Sequence, residues 1–364
     1  MTSLLEDPYR DIPPAEDEPP WDATGYLGAV ASRPRTRRSE EELDEAVSRF
    51  RPDDYVNIGE LLDGTIDSPT PEICRRDDGI GLFYRGQVNV VFGDSEAGKT
   101  MLCDFGTVQV LNDGGNVLRL DLDHNGPDAT VARLLALGAS TTVLRDDSRF
   151  LYTEPDDALH LTRIVAHMAT WLPTFVVLDS IGELMPLYKA NSNSADEFTA
   201  VHRSVIKALA KTGAAVAAID HISKGAESRS YGATGTAAKK RAAGGSSLRV
   251  SVDKPFTPGK GGSAWITIQK DRHGGLRQES PASDKEPVAG KFVMEVDGDV
   301  TRAYIRPPEP GTRNPAEIAP PDDVAAVEAL DPHPKSARDA RRRLAWRDER
   351  ARKAYKTWYQ EKNT

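Results

Sequence analysis

The stretch Gly93-Asp94-Ser95-Glu96-Ala97-Gly98-Lys99-Thr100 limits what this chain can fold into more than any other. It follows an apolar, β-rich run, Val88-Asn89-Val90-Val91-Phe92, and leads into a segment of helical period over 100–111. A loop that cradles phosphates needs the G-x-x-x-x-G-K-T spacing. The glycines let the backbone wrap closely and turn its N–H groups inward. Lys99 neutralises β- and γ-phosphates, and Thr100 offers a hydroxyl to Mg²⁺. The next helix, from Met101 on, points its positive end at the same oxygens. The expected ligand is ATP with Mg²⁺, held by residues 93–101.

The rest of the chain supplies a fold for such a loop. Apolar strands are expected at 116–122, 175–178 and 214–219, with helices at 128–137 and 159–171. Phe198, Val201, Val205, Ile206 and Leu209 share one helical face that ends near Gly213. This alternation predicts an α/β fold with a mainly parallel central sheet flanked by helices. After Ser247 shorter strands follow at 248–252, 264–270, 291–296 and 302–305, expected as antiparallel hairpins at one end of the same sheet.

Three strand ends carry candidate chemistry. Asp179 closes Phe175-Val176-Val177-Leu178, where a carboxylate can hold Mg²⁺ through water and Thr100. Asp121-Leu122-Asp123-His124 ends the strand after the loop's helix. Asp123 is the choice for the carboxylate facing the γ-phosphate, with Asp121 deeper on the same strand face. Either could instead cap the following helix or bind metal water. Asp220-His221 ends another apolar strand, where sites collect in parallel sheets. His221 is therefore assigned to sensing the γ-phosphate.

The 364 residues carry 47 Lys and Arg against 56 Asp and Glu, a net charge of −9. That balance disfavours wholesale coating by nucleic acid but allows local basic patches. No apolar run approaches the roughly 18 residues that span a bilayer. The first residues lack the basic start and apolar stretch of a signal peptide. Cys74 and Cys103 alone cannot frame disulfides or a zinc site. A cytoplasmic protein without a membrane partner is expected.

Residues 1–51 read as a disordered acidic, proline-rich tail, with Ser39 as N-cap of a short helix. Residues 52–306 form the expected ATPase domain, 307–334 a proline-rich linker, and 335–364 a helix with eleven Lys or Arg and four Asp or Glu. Leu344, Ala351, Tyr355 and Trp358 lie on one rough face of that helix. Such a helix suits DNA or the groove of a replication protein, and equally a solvated end.

Together, FGDSEAGKT, LRLDLDHN, FVVLDS and AAIDHISKG resemble RecA-like ATPases, in particular the hexameric RepA- and DnaB-type helicase branch. The lead-in over 61–88 is similar to bacterial and phage AAA family ATPases, and the resemblance covers about residues 53–305. It implies a homo-oligomeric ring, a hexamer, with ATP between neighbouring subunits. It implies a K-x-R-x-G finger, here Lys270-Asp271-Arg272-His273-Gly274, reaching a neighbour's γ-phosphate. It also implies loops that grip single-stranded DNA. The second of these is 223–245, where Lys224, Arg229, Lys239, Lys240 and Arg241 are the phosphate contacts and Tyr231 a stacking residue. The hairpin and the loop could instead be solvated surface. The branch usually carries Glu where this chain offers Asp123. The implied activity is a DNA-acting ATPase, first a replicative helicase. A recombination or strand-annealing ATPase and a nucleotide-switched binding module are the alternatives.

Overall fold

The computed structural model describes residues 57–63, 69–191, 194–221, 241–282, 284–298 and 300–362. The expected tail, its Ser39 helix and the loop residues Lys224, Arg229, Tyr231, Lys239 and Lys240 lie outside these residues. The chain divides into two units, Met1–Asp67 and Ser68–Thr364. The first is represented by one short helix, α1 (Ile58–Asp63).

The second unit is built on a sheet of nine strands among the described residues, in the order β11-β10-β9-β8-β3-β7-β6-β4-β5. Its parallel part comprises β3 (Val88–Gly93), β4 (Val117–Asp121), β5 (Phe150–Thr153), β6 (Phe175–Asp179), β7 (Ala215–His221) and β8 (Ser246–Thr257). β9 (Gly261–Asp271), β10 (Val288–Asp297) and β11 (Val300–Arg306) extend it antiparallel beyond β8. The expected hairpins are therefore present, with strands longer than the sequence pattern indicates. A separate antiparallel pair, β1 (Ile73–Arg75) and β2 (Gly81–Phe83), packs nearby.

The central strands read as continuous apolar runs because both of their faces are covered. On one face Val91, Val177 and Ile219 pack with Leu102, Cys103 and Phe105 of α2 (Lys99–Asn112), with Leu134 of α3 (Pro127–Ala136), and with Ile73 and Phe83. On the other, Val90, Phe92, Leu120, Val176 and Leu178 pack against further helices. These are α5 (Ala158–Trp171), α6 (Ile181–Leu187), α7 (Ala195–Ser204) and α8 (Ile206–Ala210). A short helix α4 (Thr141–Leu144) precedes β5, and α9 (Gly275–Gln278) follows β9. Burial pushes the Cys74 and Cys103 thiols up, so both are packing residues rather than reactive ones.

Three expectations need correction. The single helix from Phe198 to Leu209 is broken at Val205, whose φ of −112° and ψ of −74° end α7 and start α8. Its apolar side chains still face the core from both pieces. The presumed linker 307–334 is folded. It contains a 3₁₀ turn (Pro315–Glu317) and α10 (Pro321–Glu328). The basic end is two helices, α11 (Ala337–Leu344) and α12 (Asp348–Lys362), separated at Ala345 with φ 53°. Ala319, Val327, Ala354 and Trp358 form a small core there, with Leu344 and Tyr355 against it. The apolar face offered by sequence to a partner is thus filled from within the chain. Asp284 ties this region to the sheet domain by accepting from Arg313 Nε at 2.9 Å, Asn314 N at 2.7 Å and Lys356 Nζ at 3.2 Å.

Candidate active site

β3 delivers the phosphate loop at the end of the sheet where parallel α/β folds place their sites. Gly93 must be glycine, since a Cβ there would lie 2.2 Å from the Val250 carbonyl oxygen. Gly98 has φ 91°, and a Cβ would meet the Phe256 ring at 2.4 Å. This left-handed residue swings the chain into α2, so that the first N–H groups of a 14-residue helix open onto the loop. The buried Lys99 Nζ donates to the carbonyls of Gly93 at 3.0 Å and Asp94 at 2.7 Å. Burial lowers the Lys99 ammonium pKa, and Asp179 is the main charge resisting that shift.

The second acidic group stands where the sequence placed it. Thr100 Oγ1, in the first turn of α2, donates to Asp179 Oδ2 at the end of β6 at 3.0 Å. Among the described residues no three His, Cys, Asp or Glu side chains gather to hold a metal. Mg²⁺ does not need such a cage, since it keeps waters and takes one or two protein oxygens together with phosphates. The Thr100 and Asp179 oxygens fit that requirement.

Asp123 and His221 also come together. Ser180 Oγ donates to Asp123 Oδ1 at 2.7 Å, and His221 Nε2 lies 3.6 Å from Asp123 Oδ2. The His221 ring, helped by Ser180, holds the Asp123 carboxyl below its usual range despite partial burial. Asp121 is fully buried and has structural work. It accepts from Asn125 N at 3.1 Å, Asn125 Nδ2 at 2.9 Å and Tyr152 OH at 2.9 Å. Of the two candidate carboxylates, Asp123 is the one joined to the Ser180–His221 group.

Sequence reasoning missed Arg119. Its side chain is buried inside β4 and reaches two elements, with Nη2 2.9 Å from Asp179 Oδ2 and Nη1 3.1 Å from Asp104 Oδ1 on α2. Arg133 Nε also binds Asp104, at 2.7 Å. Burial pushes the Asp179 carboxyl up, and Arg119 is the strongest influence in the opposite direction. The available signal was one arginine in the apolar run Val117-Leu118-Arg119-Leu120, a charge that must find partners if both sheet faces are buried. Glu154, also missed, accepts from the Tyr152 hydroxyl and from Gly126 N at 3.1 Å, so it shapes the turn after β4.

Lys270 and Arg272 are not beside this loop. In register, Lys270 is opposite Ser247, which is opposite Val90, and Arg272 N donates to Gly245 O. Arg272 is thus level with Val88, five residues before Gly93, or roughly 16 Å along the strand direction. Lys270 Nζ donates to the carbonyls of Arg241 at 3.3 Å and Ala243 at 2.8 Å. Arg241 is exposed at the same end of the sheet.

Residues 53–227 match the family model described as AAA domain. The chain is also 29% identical over 140 residues to Protein RecA 1 of Myxococcus xanthus. That stretch is 38% of this chain and 38% of the relative, so the chain spans well under half the length of the curated protein it matches. With the sheet order and the phosphate loop, these likenesses support a RecA-like P-loop ATPase.

Proposed function

We propose that the chain hydrolyses ATP as a ring or filament on single-stranded DNA, working as a replicative helicase of the RepA/DnaB type. The Thr100–Asp179 hydrogen bond carries the ATPase part, because it joins the two halves of a Mg·ATP site, one from the start of α2 and one from the end of β6. In this reading residues 93–101 wrap the phosphates and Lys99 exchanges its carbonyl partners for phosphate oxygens. Thr100 and Asp179 hold Mg²⁺, which when bound offsets phosphate charge.

Asp123, kept ionised beside His221, orients the attacking water by accepting its hydrogen bond. His221 shares that carboxylate and stands at the start of the segment after β7, so a change at the phosphate can pass into 222–240. Lys270 and Arg272 serve a neighbouring copy's γ-phosphate, since fixed positive charge there stabilises the transferring phosphoryl group. Arg241, with Lys224, Arg229, Lys239 and Lys240, contacts DNA phosphates. The basic end contributes Arg side chains to a replication partner.

A second reading, a recombination ATPase that coats single strands without unwinding, is favoured by the likeness to a RecA protein. Steady-state hydrolysis with and without single-stranded DNA tests the motor reading, with Lys99→Ala as control. A several-fold rise that disappears in the variant is expected. Tight ATP binding with no response to DNA would remove the motor and leave a nucleotide-switched binding module. Displacement of a labelled strand then separates helicase from recombinase.

A further inference from the structure

At the opposite end of the sheet from the phosphate loop, a cleft of about 430 Å³ opens beside the start of β3. Arg203, Lys207, Lys211, Arg241 and Arg272 line it, and no carboxylate does. In a chain of net charge −9 such a concentration of one sign is not a sampling accident of composition. Among the described residues, none of these five side chains makes a hydrogen bond or ion pair. Like charges left unneutralised in one concavity raise the local concentration of anions. His202, nine-tenths buried, lines the same cleft, and its Nε2 has no hydrogen-bond partner.

The arrangement favours a chain of phosphates over a single one. Arg203 lies in the last turn of α7, and beyond the break at Val205 come Lys207 in α8 and Lys211 at its C-cap, four residues or roughly 6 Å apart at helical rise. Arg241 adds a fourth charge from the segment that follows residues 222–240, itself rich in Lys and Arg. We infer that this cleft, through Arg203, Lys207, Lys211 and Arg241, binds the phosphodiester backbone of single-stranded DNA. The inference rests on the DNA part of the proposed function and adds a site to it. Arg272 lines the cleft too but is left unaltered in the test, because the proposed function gives it another task.

The test uses the full chain and a fluorescein-labelled 30-mer of dT, followed by anisotropy between about 50 and 200 mM salt, the range over which phosphate contacts are lost. The variant is Arg203→Ala/Lys207→Ala/Lys211→Ala. All three side chains are exposed, so an unchanged urea midpoint is expected and confirms folding. Affinity at low salt should fall about tenfold or more, and the log–log salt slope should drop by about 2, as three single-strand phosphate contacts require. Arg203→Lys/Lys207→Arg/Lys211→Arg should keep both. Wild-type affinity and slope in the triple alanine variant would overturn the inference, as would wild-type protein that does not bind the oligonucleotide. Inorganic tripolyphosphate binding that the alanine variant loses, while DNA binding stays intact, would also overturn it in favour of a small-anion pocket. Binding of a fluorescent ATP analogue should be the same in all variants. DNA that binds through the cleft without stimulating hydrolysis would sink the motor reading alone.

Discussion

Asp179 Oδ2 is shared by two donors from different elements, Thr100 Oγ1 at 3.0 Å and Arg119 Nη2 at 2.9 Å. The Thr100 hydroxyl comes from the first turn of α2, after the phosphate loop, and the Arg119 guanidinium from the neighbouring strand β4. One carboxylate thereby links α2 to the interior charge network, and the two donors should fail differently when removed.

Thr100→Val removes the hydroxyl while keeping volume. Hydrogen bonds to charged groups contribute about 1.5–3 kcal/mol, which converts to a fall in hydrolysis of about 10- to 150-fold. The Mg²⁺ concentration for half-maximal rate should rise, while the urea midpoint changes little. A Mg²⁺ titration of the variant checks this. An unchanged half-maximal Mg²⁺ would remove Thr100 from the metal site.

Arg119→Met should act on stability first. It leaves Asp104 and Asp179 buried without their common partner. Breaking one side of a buried ionic group costs about 3–5 kcal/mol. Adding Asp179→Asn should restore part of the loss, because Asp104 keeps its ion pair with Arg133 while Asp179 has lost its own, and the amide removes that buried charge. Urea unfolding of the single and double variants measures both. Equal midpoints for wild type and Arg119→Met would refute the network.

His202 supplies a pH test. Burial, then the charge of Lys207, lowers its imidazole from 6.5 to about 4. In the pH window between those values the unfolded chain binds the proton and the folded chain does not. Stability therefore rises with pH across it, and falls as the solution is acidified from 6.5 toward 4. The difference approaches roughly 3 kcal/mol at the acid end. His202→Phe should flatten that part of the stability profile relative to wild type. Parallel profiles for the two proteins would show that His202 does not titrate as described.

Trp358→Ala should loosen the C-terminal helices without disturbing ATP binding. Trp358 is 7% exposed and packs with Ala319, Val327 and Ala354. Truncating a buried Trp costs about 3–5 kcal/mol. Limited proteolysis should show faster cuts within 307–362 and an ATP affinity like wild type. Protection equal to wild type would mean the small core does not hold these helices.

The phosphate loop, the parallel strands and the Asp179 position were legible because each rests on local rules. Spacing, apolar runs and strand ends need no knowledge of distant residues. The pairing of Asp123 with His221 was half legible: both were named, but Ser180, which donates to the same carboxylate, carries no sequence signal of its own. Arg119 was missed because the argument for it requires knowing that β4 has neighbours on both sides. The folded state of 307–334 was missed for a related reason. Prolines at 315 and 321 open helical turns there, and the composition that suggests a linker is also that of helix starts. Val205 breaks a helix whose apolar periodicity runs on unaltered, so periodicity alone could not mark the break.

The sheet has an inherent direction: its phosphate loop is at one end, and Lys270 and Arg272 are displaced toward the other. If those cations serve another copy, no molecule can complete its own catalytic centre. Head-to-tail stacking repeats the match along a row. An open row of n copies then holds n − 1 finished centres, and closing it finishes the last. Turnover per molecule would climb with assembly length, and a population of short rows would be slow even when saturated with ATP.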